Sequence, residues 1–414
     1  MKTLQELDHL LTGMIQSFDG ISDLLFVAGQ KPQVEAHGVL ETPALNPPEP
    51  VLTGERIERM ARLILRDSPK LLADLSAHGS CDCSYSLGDF CRFRANIYRQ
   101  NETYAMVMRR LQPLVPTMDK LGLPPAFCEI VKERNGLVFV TGGAGNGKST
   151  TIAALLNEIN NTSKVHVVTL EDPVEFLHPQ MNSTFSQREL GRDFFSFPDG
   201  LRAALRQAPK VIFVGEIRDR ETMEIALIAG ETGHLVFSTL HTISADQTIY
   251  RILGMFSKDE EQQVRRRLAV SLRYIVGQRL VPKKAGGRAL VTELMGSNLR
   301  TREAIELGEG ENRRLHDIIE AGGNAGWHSF EQSLLKAYEQ DLISEENALL
   351  YSVNKPTMRQ RLDVANMRGR RPAKPASTPP MMVVTSSAPP SAPPVMTPPP
   401  GAEPPPAPRG MMND

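Results

Sequence analysis

Residues 137–150 read LVFVTGGAGNGKST, and the rest of the chain is organised around them. An apolar strand-like run, Leu137 to Val140, breaks into a glycine-rich loop and then into the helix-forming stretch KSTTIAALLNEIN. Gly142 to Ser149 fit G-x-x-x-x-G-K-[ST], a phosphate-cradling loop. Glycines at 142, 143, 145 and 147, with Ala144 and Asn146 between them, let backbone N–H groups converge without Cβ clashes. The positive N-terminal end of the following helix points at the same place, so an anion is favoured twice. Lys148, Ser149 and Thr150 open that helix; Lys148 can reach β- and γ-phosphates and Ser149 can ligate Mg²⁺. An ordinary strand–turn–helix competes for so short a pattern. The strand before and the helix after favour phosphate.

The 414 residues suffice for two or three domains, and 41% hydrophobic with 23% charged residues is ordinary for a globular protein. A net charge of −1 leaves no electrostatic footprint for nucleic acid. Cys81, Cys83 and Cys91 crowd together, but C-x-C-x₇-C lacks a paired C-x-x-C, so reduced structural thiols are expected rather than a metal site. MKTLQELDHL carries acids where a signal peptide needs an apolar core, and no run approaches the ~18 apolar residues of a membrane span. The expectation is a cytoplasmic protein that meets a membrane only through partners.

Along the chain, Leu4, Leu7, Leu10, Leu11 and Ile15 recur like one helix face. SDLLFVAGQKPQVEAHGVL reads as two short strands joined at Gly-Gln-Lys-Pro, and Thr53 caps a helix through TGERIERMARLILRD. CRFRANIYRQ and AMVMRRLQP read as a strand pair. This gives a smaller α+β domain over residues 1–112, followed by a proline-punctuated linker. From there to 365, buried strands (LVFV, VHVVTL, VIFVGE, HLVFSTLH) alternate with helices. That pattern argues an α/β domain with a mainly parallel sheet covered on both faces. Helices are expected to dominate 258–360, apart from a hairpin around VPKKAGGRALVTELM. Residues 366–414 hold about half of the 31 prolines and almost no aliphatics, so disorder is expected, with a docking peptide as the sharper reading.

Four stretches beyond the loop carry chemistry, and strand ends face the ligand in such a sheet. TLEDPVEF packs Glu171, Asp172 and Glu175 together, to hold Mg²⁺ or orient water, or simply to form a solvated acidic loop. VIFVGEIRD delivers Glu216 to a strand terminus, the Walker B position, for water polarisation and Mg²⁺ organisation. GHLVFSTLHT brackets a buried strand with His234 and His241, roughly 23 Å apart by strand rise. A shared metal is therefore excluded; one imidazole is expected to sense the γ-phosphate and the other to be structural. GLRAALRQ sets Arg202 and Arg206 four residues apart on one helix face, Arg206 being the candidate nucleotide contact. Arg94 and Arg109, in the first domain, could offset transition-state charge from a neighbouring domain or subunit.

The order GGAGNGKST, TLEDPVEF, LRQAPKVIFVGEIRDRETME, ETGHLVFSTLHT resembles the secretion ATPases of type II secretion and type IV pilus systems. More narrowly it is similar to the twitching-motility retraction group of PilT and PilU, over about residues 1–362, including the late GWHSFEQSLLKAYEQDLIS. The resemblance implies a PAS-like first domain, a RecA-like second domain, and a hexamer with ATP between subunits. It makes TLEDPVEF the Asp box, with Glu175 as its catalytic glutamate, VIFVGEIRD the Walker B box and GHLVFSTLHT the His box. Arg94 and Arg109, fifteen residues apart, match the paired arginines turned toward the nucleotide. The stretch VGQRLVPKKAGGRALVTELM lacks the four-cysteine insertion of most assembly ATPases. There are departures: NLRTREAIELGEGENRR does not match the AIRNLIRE-like helix, and LRQAPK replaces LR.DPD, wording closer to PilU.

The expectation is thus an ATP- and Mg²⁺-dependent hexameric retraction motor or PilU-like accessory. Its implied partners are an inner-membrane platform protein, a paralogous ATPase and an unknown partner of the tail. A pilus-assembly or type II secretion ATPase, and a non-hydrolysing nucleotide-binding scaffold, are the alternatives.

Overall fold

A computed structural model describes residues 3–369, apart from 67, 89, 112, 113 and 312. Two sheets organise them.

The first sheet is antiparallel, in the order β3-β2-β1-β6-β5-β4. Its strands are β1 (Ile21–Phe26), β2 (Gln33–Ala36), β3 (Val39–Glu41), β4 (Ser80–Leu87), β5 (Cys91–Gln100) and β6 (Thr103–Leu111). In β5, Cys91, Phe93, Ala95 and Ile97 are buried, while Arg92, Arg94 and Asn96 alternate onto the opposite face. Helices Leu4–Gln16, Gly54–Leu65 and Pro69–His78 supply the rest of the apolar core on the buried side. Thr53 caps the second of them, its Oγ1 accepting from the N–H of Arg56.

Two strands exceed the expected count. His37 and Gly38, both at positive φ, form the two-residue turn between β2 and β3. CDCSYS, read above for its cysteines, is most of β4. Cys81, Cys83 and Cys91 are free and buried, and burial pushes Cys81 up to about 11 and Cys83 up to about 12.

The second sheet runs β13-β12-β7-β11-β10-β8-β9. It comprises β7 (Gly136–Thr141), β8 (His166–Glu171), β9 (Thr184–Glu189), β10 (Val211–Val214), β11 (Leu235–Leu240), β12 (Leu272–Pro282) and β13 (Arg288–Gly296). All pairings are parallel except β12–β13, so this is the RecA-like parallel sheet, and β7 and β11 are buried along their whole length.

The helical expectation for 258–360 is corrected here. β12 begins at Leu272 and extends the parallel sheet beside β7 before it turns into the hairpin. LRYIVGQRL carries only a short apolar core, residues 274–276, flanked by arginines, too brief for periodicity alone to separate a strand from a helix segment. β9 was not expected either; it is a polar edge strand with no apolar run to betray it.

Helices Phe330–Glu339, Glu345–Leu350 and Lys355–Gly369 pack on β12–β13 through Val281, Val291, Phe330, Leu334, Met358 and Leu362. The last of these helices crosses residue 366, where order was expected to stop. The proline-rich stretch and its docking role lie outside the described residues, as do the boundary residues 112 and 113. No helix among the described residues is long and apolar enough to cross a membrane.

Candidate functional site

The loop after β7 is built as its glycines demand. Gly142, Gly145 and Gly147 have φ of 144°, 74° and 79°. A Cβ on Gly142 would lie 2.4 Å from the carbonyl oxygen of Gln278, so backbone and strand β12 touch there. Helix Lys148–Thr162 follows directly, with Gly147 as its left-handed N-cap. The ammonium of Lys148 donates to the carbonyls of Gly142 (2.9 Å) and Gly143 (3.0 Å). Burial pulls its pKa below the usual lysine range, against the pull of the Glu216 and Glu175 carboxylates.

β12 clamps the loop from the side. Gln278 Nε2 donates to Asn146 O at 2.9 Å, and the Leu280 N–H donates to Asn146 Oδ1 at 3.1 Å. The cleft over the loop has a volume of about 890 Å³ and takes in Lys148, Ser149, Thr150 and Glu175. Lys283 and Arg288 from the β12–β13 hairpin also line it. Sequence reasoning missed Gln278 and these hairpin cations, although the basic run KK…R was there to be noticed.

The acids divide by position. Glu216, beyond β10, pairs with Arg218 at 2.5 Å and lies 3.6 Å from His241 Nε2. Glu175 lines the cleft. Glu171, the last residue of β8, is enclosed in the wall and accepts from Thr169 Oγ1 (2.6 Å) and Gln187 Nε2 (3.3 Å). Burial pushes its carboxyl up to about 7 even though those bonds draw it down. Glu171 therefore supports the loop from below; it does not line the cleft. Gln187 and Glu189 of β9, also missed, stitch the Asp-box loop: Gln187 Nε2 donates to Phe176 O, and Glu189 accepts from the N–H of Val174.

A second cleft, of about 680 Å³, joins the two sheets. It is lined by Asp23, Asp82, Arg94 and Arg109 on one side and by Thr150 and Glu175 on the other. The arginine pair thus faces the phosphate-loop helix of its own chain. Arg110, unremarked in the sequence, lines it as well.

Two expected residues fall elsewhere. His234 stands just before Leu235, which pairs with Gly136, while the loop leaves β7 after Thr141 at the opposite edge. Its Nδ1 meets Ala229 O at 3.1 Å, so it is a structural residue remote from the cleft. Arg206 lies past the end of helix Phe197–Ala204, not on its face, and donates to Arg202 O. The next residue, Gln207, bonds His166 at the start of β8, so Arg206 too is at the far edge of its own chain's sheet.

The residues fit a nucleotide–Mg²⁺ group by their chemistry: the glycine loop and Lys148 suit phosphates, and the cleft holds the Ser149 hydroxyl and the Glu175 carboxylate, oxygen ligands of the kind a hard cation takes. Away from the cleft, His316, Glu320 and Glu331 are close enough to share an ion, but Arg361 already occupies both oxygens of Glu320.

Comparison with known proteins agrees with this geometry. The model of the family "Type II/IV secretion system protein" matches residues 92–301. The retraction ATPase PilT of Pseudomonas aeruginosa is 38% identical over 80% of this chain and 93% of its own length. PilU of the same organism is 34% identical over 85% and 91%. A crystal structure of the pilus retraction motor PilT with bound ADP superposes with a TM-score of 0.76 at 37% identity, covering 86% of this chain and 99% of that one.

Proposed function

The chain belongs to the type II/IV secretion ATPase family, and we propose that it is a Mg²⁺-dependent hexameric motor of type IV pilus retraction. The observation that carries the proposal is the convergence of Lys148, Glu175 and Glu216 at one sheet edge, with Arg94 and Arg109 facing Thr150 and Glu175 across the second cleft.

The loop amides and Lys148 hold the phosphates of ATP. Ser149, with Glu216 directly or through water, would hold Mg²⁺, which would supply positive charge against the negative charge of the phosphates. Glu216 polarises the attacking water, His241 beside it reports on the γ-phosphate, and Glu175 orients the water from the Asp box. Arg94 and Arg109 stabilise charge on the departing phosphoryl group. The antiparallel domain, PAS-like in this reading, changes its angle to the parallel-sheet domain on hydrolysis. A ring of six converts that change into rotation of an inner-membrane platform at the cytoplasmic face, alone or beside a paralogous ATPase. The ring and the platform rest on the relatives' function.

Steady-state phosphate release, with Lys148→Ala and Glu216→Gln as controls, tests the chemistry. Absence of turnover in the wild type at concentrations where a hexamer forms defeats the motor reading and favours a nucleotide-binding scaffold. Twitching in a strain lacking only this chain tests direction: lost retraction supports the proposal, whereas lost pilus assembly overturns it.

A further inference from the structure

Glu189 ends β9 and is the cross-strand partner of Glu171. It is only 4% exposed and is none of the acids proposed for the chemistry. Its Oε1 accepts the backbone N–H of Ser84 at 3.1 Å, and its Oε2 accepts that of Val174 at 3.3 Å. Ser84 lies on β4 of the antiparallel sheet and is the register partner of Arg94. Val174 immediately precedes Glu175. One buried carboxylate therefore ties the strand beside Arg94 to the loop that carries Glu175.

Both bonds run from backbone donors to a side chain enclosed away from water, so losing the acceptor would leave two buried N–H groups unpaired. The surrounding seam is also specific. Ser68 Oγ donates to Gly191 O at 2.8 Å, and Arg192 donates to Ile64 O at 3.2 Å while its Nε lies 3.5 Å from Glu189. On β5, Arg92 feels the charges of both Glu189 and Glu171, yet its Nε and Nη1 are buried without a hydrogen-bond partner. Buried donors left unpaired are costly, so the Arg92 guanidinium adds positive charge beside the Glu189 carboxylate without a bond of its own at those two nitrogens.

We propose that Glu189 is a positioning residue that couples the two sheets, setting the gap between Arg94 and Glu175. The proposal rests on the ATPase reading for its catalytic consequence, and on the seam alone for its structural one. Glu189→Gln keeps the size but leaves one acceptor oxygen where two are needed.

The expected result is faster amide hydrogen exchange in peptides covering 82–86 and 172–177. Phosphate release should fall about tenfold in kcat, with KM for ATP within about twofold, because misplacement by a fraction of an ångström acts on the chemical step. Glu189→Asp, which keeps the charge on a shorter stem, should recover part of both effects, and it decides the matter should the Gln variant not fold. Unchanged exchange at both segments overturns the bridge. Faster exchange with unchanged kcat, or with kcat lost in step with the thermal midpoint, overturns the positioning role. An inactive wild type defeats the ATPase reading, and exchange then still decides whether Glu189 joins the sheets.

Discussion

Arg94 and Arg109 stand directly opposite one another across β5 and β6, and each guanidinium is held by a different aspartate. Arg109 Nε lies 2.9 Å from Asp23 and Arg94 Nε 3.4 Å from Asp82. Like charges opposed across a ladder work against the sheet. Both side chains nevertheless remain well exposed, 43% for Arg94 and 70% for Arg109, in the cleft shared with Glu175. A local conflict of this kind is where function is expected to override stability.

The two arginines should separate in stability but agree in activity. Arg94→Ala removes an exposed ion pair and should leave the unfolding free energy within about 0.5 kcal/mol. Arg109→Ala strands Asp23, which is buried, and should cost about 1–3 kcal/mol. Both should lower kcat for ATP hydrolysis by about 100-fold or more. Urea unfolding beside phosphate release measures the two effects. An active Arg94→Ala enzyme would remove the pair from the mechanism.

The histidines should part in the same way. His241 lies 3.6 Å from Glu216, whereas His234 bonds Ala229 at the opposite edge of the sheet. His241→Ala should lower kcat about tenfold, and His234→Ala should leave it within about twofold. Equal losses in the two variants would contradict the placement.

The contrast between those histidines shows what was legible beforehand. GGAGNGKST and VIFVGEIRD declare themselves because a phosphate cradle and a strand-end acid each need particular residues at particular spacing. GHLVFSTLHT offered two imidazoles and no way to choose, since choosing requires the register of Leu235 on Gly136. β9 stayed hidden because an edge strand needs no apolar face, and its Gln187 and Glu189 act through backbone groups of other segments. Gln278 was missed for a related reason: it touches the loop from a strand 132 residues away, in a run that resembled a helix.

Gly142→Ala should fail on sterics rather than on chemistry. At φ 144° with a backbone oxygen 2.4 Å from the added Cβ, neither the loop nor β12 can yield cheaply. A loss of about 2 kcal/mol or more in unfolding free energy is expected, together with loss of ADP binding by calorimetry. By contrast, Gly145→Ala meets nothing within 4 Å and pays only for its φ of 74°, so about 1 kcal/mol is expected. A Gly142→Ala protein as stable as wild type would mean that β12 does not press on the loop.

Glu293 sets a pH dependence that is separable from catalysis. It is enclosed on β13, accepts from the N–H of Ala245 at 2.8 Å, and burial pushes its carboxyl up to about 8. Because that value lies above the ordinary carboxylate value of 4.5, the folded chain holds a proton that the unfolded chain has released between those limits. Stability from this group is therefore full below about pH 4.5 and falls as pH rises toward 8. Glu293→Gln mimics the protonated acid without the ionisation. It should match wild type near pH 4.5 and exceed it by roughly 5 kcal/mol near pH 9, where the wild type must carry a buried charge. Urea midpoints across that range measure the difference. A gap that is constant with pH would show that Glu293 ionises in the folded chain as it does in water, and that the nearby Arg279 compensates its burial in full.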